Sequence, residues 1–169
     1  MKASTDPLPV SIREATSADW PALWAIIAAV VRTGDTYTLP PNVAEDEAKA
    51  YWTGPGLMTY VAEAEGGIVG TYAMHANQPG LGSHVANAGY MVRADCASRG
   101  VGTQLAEHSL ATARAAGFRA MQFNAVVSTN VRALALWRRL GFSIVGTIPA
   151  GYRHATRGLV DLHIMYRSL

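Results

Sequence analysis

Positions 95–110 read DCASRGVGTQLAEHSL. Gly100 and Gly102 stand where an apolar, strand-like run, SHVANAGYMV (83–92), gives way to a helical spacing that continues to about Ala116 and stops at Gly117. Glycine at the mouth of a helix costs backbone entropy. It also lets a ligand approach the backbone, and the unpaired N–H groups of a helix N-terminus attract anions. No G-x-x-x-x-G-K-[ST] string occurs, which excludes a Walker A loop. A dinucleotide fingerprint fits poorly, because the third position is Leu105 and the preceding strand is not the first. Alone, the two glycines suit an anion cradle and a plain strand-to-helix turn equally well.

Around this stretch the chain alternates between the two periodicities. VSIREA (10–15) predicts a strand, and a helix follows from about 17 to 32, with a capping signal at Ser17, Asp19 and Pro21. GDTYTLP (34–40) belongs to a loop, and VAEDEAKAYW (43–52) predicts a second helix. A hairpin is expected about Glu65-Gly66-Gly67. After the glycine segment come a strand at 118–127, a helix at 129–140 ended by Gly141, and two last strands around the loop PAGYRHATR (149–157). The order predicts a mixed α/β domain, antiparallel in its first half, with one parallel crossover between 85 and 127.

Composition bounds the function. The chain has 169 residues, 50% of them hydrophobic and 15% charged, with a net charge of +2, which predicts one well-cored domain at 10–169 behind a loose tail at 1–9. That even balance points to neither nucleic acid nor a membrane surface as partner. The longest apolar run, Pro21 to Val31, is too short to span a bilayer. Cys96 is the single cysteine, in keeping with a cytoplasmic protein. It has no base placed beside it by the sequence and is read as a bystander. His75, His84 and His108 show no metal-ligand spacing, so no metal is expected.

Taken together, VRADCASRGVGTQL (92–105) and NVRALALWRRLGF (130–142) resemble the GCN5-related N-acetyltransferase family, and the element order resembles that fold along nearly the whole chain. The resemblance implies a central, mostly antiparallel sheet of about seven strands with about four helices, splayed between the strands at 83–92 and 118–127. It implies acetyl-coenzyme A as co-substrate, its pyrophosphate held by the amides of Ser98, Arg99, Gly100, Val101, Gly102 and Thr103. Ala97 occupies a position usually held by Gln or Arg. Met91 or Val92 would supply the backbone N–H that stabilises the oxyanion. Asn130, Ala133 and Trp137, at i, i+3 and i+7, would share the helix face along the pantetheine arm. Many members carry a tyrosine where this chain has Trp137, and an indole N–H is no acid near neutral pH.

The acceptor side is read from polar residues on the splayed strands. Ala86 and Asn87 stand where histone-acetylating members carry glutamate. MQFNAVVSTN (121–130) resembles fungal acetyltransferases of proline analogues such as azetidine-2-carboxylate, which implies that Asn87 and Asn124 are the catalytic pair, gripping the substrate and helping to hold the attacking nitrogen or the oxyanion. An amide is no base, so water would carry the proton away. His75 and His84 are alternative bases, although a lone histidine on a strand is more often structural. Tyr37, Thr38, Tyr51 and His84 are candidate substrate contacts. Arg153, His154 and Arg157 would suit a carboxylate or form a solvated turn. The implied reaction is acetyl transfer to a small amine, an amino acid or proline-like analogue. The alternatives are a protein N-terminal or lysine acetyltransferase and a non-catalytic coenzyme sensor. The resemblance also allows a homodimer.

Overall fold

The computed structural model describes residues 7–169. The chain runs β1 (Ser11–Glu14), α1 (Trp20–Arg32), α2 (Glu45–Thr53), β2 (Met58–Ala64), β3 (Gly67–Ala76), β4 (Val85–Val92), α3 (Val101–Ala115), β5 (Ala120–Val127), α4 (Val131–Arg139), β6 (Ser143–His154) and β7 (Gly158–Ser168). The seven strands form one sheet in the order β1-β2-β3-β4-β5-β7-β6, and only the β4–β5 pair is parallel.

Each helix forms because its apolar residues recur at the helical period and have a sheet face to cover. On α1, Leu23, Ile26, Ile27 and Val31 pack with Trp52 of α2 against Val61, Ala73 and Met91. On the opposite face, α3 brings Val101, Leu105 and Leu110, and α4 brings Leu134 and Trp137, onto Tyr72, Met74, Met121 and Phe123. The parallel pairing is confined to Val85↔Ala120 and Ala86↔Met121, after which β4 and β5 diverge. The expected splay is therefore present, and Asn87 is the first residue beyond the last pair.

Three local expectations are corrected. Residues 1–6 of the expected tail lie outside the described residues, but Leu8 is tied down: its N–H donates to the Arg99 carbonyl at 2.9 Å, and its carbonyl accepts from Gln104 Nε2 at 2.8 Å. The start of the first helix is organised by Thr16 rather than Ser17, with the Thr16 N–H donating to the Asp19 carboxylate at 2.6 Å. Most of PAGYRHATR is strand, because β6 runs on to His154 through an irregularity between Ile148 and Tyr152. There Ala150 takes φ 53° and its N–H donates to Asp161 Oδ1 at 2.9 Å. Proline and glycine here mark a bulge on an edge strand, where no ladder partner is lost.

Candidate active site

The glycine segment folds as a cradle. Gly100 sits at φ 76°, the left-handed conformation that L side chains disfavour, and turns the chain into α3. The first α3 bond runs from the Gln104 N–H to the Gly100 carbonyl at 3.1 Å, so the N–H groups of Val101, Gly102 and Thr103 have no intrahelical acceptor. A Cβ on Gly102 would meet nothing nearer than Leu136 and Val92 at 3.9 Å. Nothing in the surrounding fold forbids a side chain there, and the space beside Gly102 is open. Arg99 Nε, beside this loop, is buried without a hydrogen-bond partner among the described residues. Arg139 on α4 reaches the same turn, its Nη2 donating to Thr103 Oγ1 at 2.9 Å; its position in the RR pair of α4 gave no sign of this.

The splay opens a backbone edge. Bonds from Asn77 N–H to the Val85 carbonyl and from Arg93 N–H to the Val69 carbonyl, both 2.8 Å, fix which β4 amides face β3. By that alternation the Met91 amide is engaged with Thr71, whereas the Tyr90 and Val92 N–H groups face the gap. The expectation of Met91 or Val92 is thereby narrowed to Val92. The Tyr90 carbonyl already accepts from the Tyr37 hydroxyl at 2.9 Å.

One cavity of about 920 Å³ runs along this edge. It is lined by Val92, Ala97, Asn130, Ala133 and Trp137 from the end of β4, the following loop and α4, by Thr36, Tyr37, Thr38, Tyr51 and Trp52 from the loop after α1 and from α2, and by His75, Asn87 and Asn124 from the strands. From the loop only Ala97 reaches its wall; Ser98 to Thr103 lie outside it. Among the described residues, no Asp, Glu, Lys or Arg lines it.

The side chains along this cavity are held in definite states. Asn130 itself caps α4, its Oδ1 accepting from the Ala133 N–H at 3.2 Å, which leaves its amide hydrogens for the cavity. Trp137 is buried against Phe123, with centroids 4.5 Å apart, and against Tyr90 at 4.9 Å. The Tyr90 hydroxyl is paired with Ser109 Oγ at 2.7 Å, and burial pushes its pKa up. Burial also raises the Tyr37 phenol well above its usual range, and Tyr51 in the same direction. None of these phenols is an acid or base for neutral chemistry. Gly89 is required by close approach, since a Cβ there would stand 3.0 Å from the Tyr37 hydroxyl and 3.3 Å from the Trp52 ring.

The two asparagines bridge the gap. Asn87 Nδ2 donates to the Gln122 carbonyl of β5 at 2.9 Å, and because a carbonyl can only accept, the amide orientation is fixed with Oδ1 free. Asn124 lies in a β5 irregularity between Phe123 and Val126 that turns it out of the ladder. It accepts from Gln122 Nε2 at 2.8 Å and donates to Asn77 Oδ1 at 2.7 Å, leaving one N–H unpaired. His84 does not join them: it is exposed, beside the Leu81 carbonyl at 3.2 Å, and is absent from the cavity wall, so its assignment as a substrate contact is withdrawn. Arg153, His154 and Arg157 are likewise outside the cavity. Thr36 and Trp52 are wall residues that the sequence did not single out; Thr36 is an ordinary loop threonine, and Trp52 reads as helix core.

The family model described as "Acetyltransferase (GNAT) family" matches residues 14–142. The chain belongs to this family. It is an acetyl-CoA-dependent N-acetyltransferase, and the relatives below are named as acetyltransferases. It is 34% identical over 170 residues to the L-methionine sulfoximine/L-methionine sulfone acetyltransferase of Pseudomonas aeruginosa, covering 94% of each chain. It is 29% identical over 151 residues to N-acetyltransferase aca1 of Schizosaccharomyces pombe, covering 79% of this chain and 72% of the relative. A fungal relative was what MQFNAVVSTN implied. The solved structure of a GCN5-related N-acetyltransferase from Kribbella flavida superposes with a TM-score of 0.89 at 42% identity, over 95% of this chain and 98% of that one. Among the described residues no helix is long and apolar enough to cross a membrane, and no group of three or more His, Cys, Asp or Glu is placed to hold a metal.

Proposed function

We propose that this GNAT enzyme acetylates the amine of a free amino acid or amino-acid analogue in the chamber bounded by Thr36, Tyr37, Tyr51, Trp52, Asn87 and Asn124. The observation carrying this reading is the single cavity joining the arm-lining residues to a chamber walled by aromatic rings and neutral amides. Acetyl-CoA supplies the thioester acyl group. The N–H groups of Val101, Gly102 and Thr103, with Arg99, would hold its pyrophosphate, and Asn130, Ala133 and Trp137 would flank its arm. Val92 N–H faces the gap where a carbonyl oxygen gaining negative charge would sit. Asn87 Oδ1 is a free acceptor for the substrate ammonium. The buried, unpartnered Thr36 hydroxyl and the spare Asn124 N–H are donors for a carboxylate, a neutral grip in place of an arginine. Trp137 packs and donates no proton, so the leaving thiolate takes its proton from solvent.

The Pseudomonas relative, named for two amino-acid analogues, supports this substrate class. Thiol release from acetyl-CoA should be measured across free amino acids, their sulfone and sulfoximine derivatives, proline analogues, polyamines and short peptides. Turnover should be highest on a free amino acid or analogue, and Asn124→Ala should raise the KM for that amine about tenfold. A preference for peptides would overturn the reading in favour of a protein acetyltransferase. Tight coenzyme binding with no acceptor turned over would favour a sensor.

A further inference from the structure

An amine enters the site as ammonium, with a pKa of about 10, and must lose a proton before its lone pair can attack. The chamber has few groups able to take it. Among the described residues no carboxylate lines it, and its phenols, Tyr37, Tyr51 and Tyr90, are held protonated by burial. Among the described residues His75 is the one imidazole in the wall. It lies on β3 directly opposite Asn87 on β4, so both side chains project from the same sheet face. Its Nδ1 lies 2.8 Å from the Ala76 carbonyl oxygen. A carbonyl cannot donate, so in the neutral ring that contact places the proton on Nδ1 and makes Nε2 the nitrogen that can accept one. The cross-strand neighbour Asn87 is tied by its amide nitrogen to Gln122 and offers Oδ1, an acceptor that can orient an ammonium beside the imidazole.

We propose that His75 Nε2 is the proton acceptor of the transfer reaction, a role resting on the small-amine reading above. The substrate R–NH3+ gives one proton to Nε2. The freed nitrogen lone pair forms the C–N bond as the thioester carbonyl oxygen takes up charge. Collapse breaks the C–S bond, the nitrogen loses its second proton and the coenzyme thiolate gains one. His75 then returns its proton to solvent through the open end of the chamber. Overall, R–NH3+ and acetyl-CoA become R–NH–acetyl, free thiol and H+. Asn87 is the positioning partner.

The test is kcat/KM against pH for wild type, His75→Asn and His75→Gln, on whichever amine the wild type acetylates best. His75→Asn keeps an N–H for the Ala76 carbonyl and removes the base. Its kcat/KM at pH 7 should fall about 100-fold, with acetyl-CoA affinity unchanged by calorimetry. The single-proton limb of the wild type should vanish, leaving the limb of the amine itself near pH ~10, and added imidazole should restore part of the rate. A loss below about threefold with the limb retained overturns the proposal. 15N NMR of the His75 ring decides independently of turnover: an Nδ1–H tautomer supports it and an Nε2–H tautomer overturns it. Should peptides prove to be the better acceptors, the substrate class falls, while the same variants on those peptides still decide the base.

Discussion

At Gly100 and Gly102 a single methyl group separates two reasons for glycine. Gly100 is fixed by conformation, since its φ of 76° strains any L residue. Gly100→Ala should therefore cost about 1–2 kcal/mol of stability whether or not coenzyme is present. Gly102 lies within α3, where a Cβ has only ordinary contacts at 3.9 Å. Gly102→Ala should leave the fold intact, or stabilise it by up to about 1 kcal/mol, while weakening acetyl-CoA binding at least tenfold. Thermal melts of the free protein and calorimetric titration of the coenzyme separate the two effects. Unchanged affinity in Gly102→Ala would show that the pyrophosphate sits elsewhere. Sequence spacing located both glycines. It could not show that one is fixed by its backbone conformation and the other has open space beside it, because that difference lies in what surrounds each Cα.

Between elements, the most concentrated electrostatic tie joins β1, the turn before α1 and β2. Arg13 grips both oxygens of Asp19 at 2.8 Å and reaches Glu63 at 2.6 Å, holding the Asp19 carboxyl well below its usual range against the opposing effect of burial. A carboxyl with a depressed folded-state pKa contributes stability in full above its unfolded value of about 3.9, and loses it as pH falls. Asp19→Asn should cost about 1 kcal/mol at pH 7, and the gap should narrow below pH ~4; urea denaturation across that range reads both. A gap independent of pH would assign Asp19 to packing alone. A second element-scale constraint is Gly89, where alanine would press on Tyr37 and Trp52 and should lose about 1–3 kcal/mol and raise the acceptor KM. Helices and strands were legible because their apolar periods are long and their glycine stops are clear. Ser17 yielded to Thr16, and the loop at 149–157 yielded to strand, because a cap depends on which carboxylate reaches back, and Pro149 and Gly151 punctuate a bulge as readily as a loop. His84 and His75 look alike in sequence; only the register, with His75 opposite Asn87, puts one in the chamber and the other outside it.

Over the whole molecule, the sheet is two blocks, β1 to β4 and β5 to β6, whose strands are joined in register by Val85↔Ala120 and Ala86↔Met121 alone. Beyond those pairs the halves are bridged by side chains: Asn87 to Gln122, Asn124 to Asn77, and the Tyr90, Phe123 and Trp137 rings beneath the gap. A ligand lying along the β4 edge would supply the missing strand. Two consequences can be measured together. Acetyl-CoA at about 100 times its Kd should raise unfolding free energy by about 2.7 kcal/mol. Amide hydrogen exchange should slow on binding at Val92 and Tyr90, whose N–H groups face the gap, and change little at Met91, already bonded to Thr71. Equal protection at all three would mean a general stiffening of β4. Protection at Met91 alone would mean that the strand alternation has been assigned to the wrong edge, and the oxyanion donor with it.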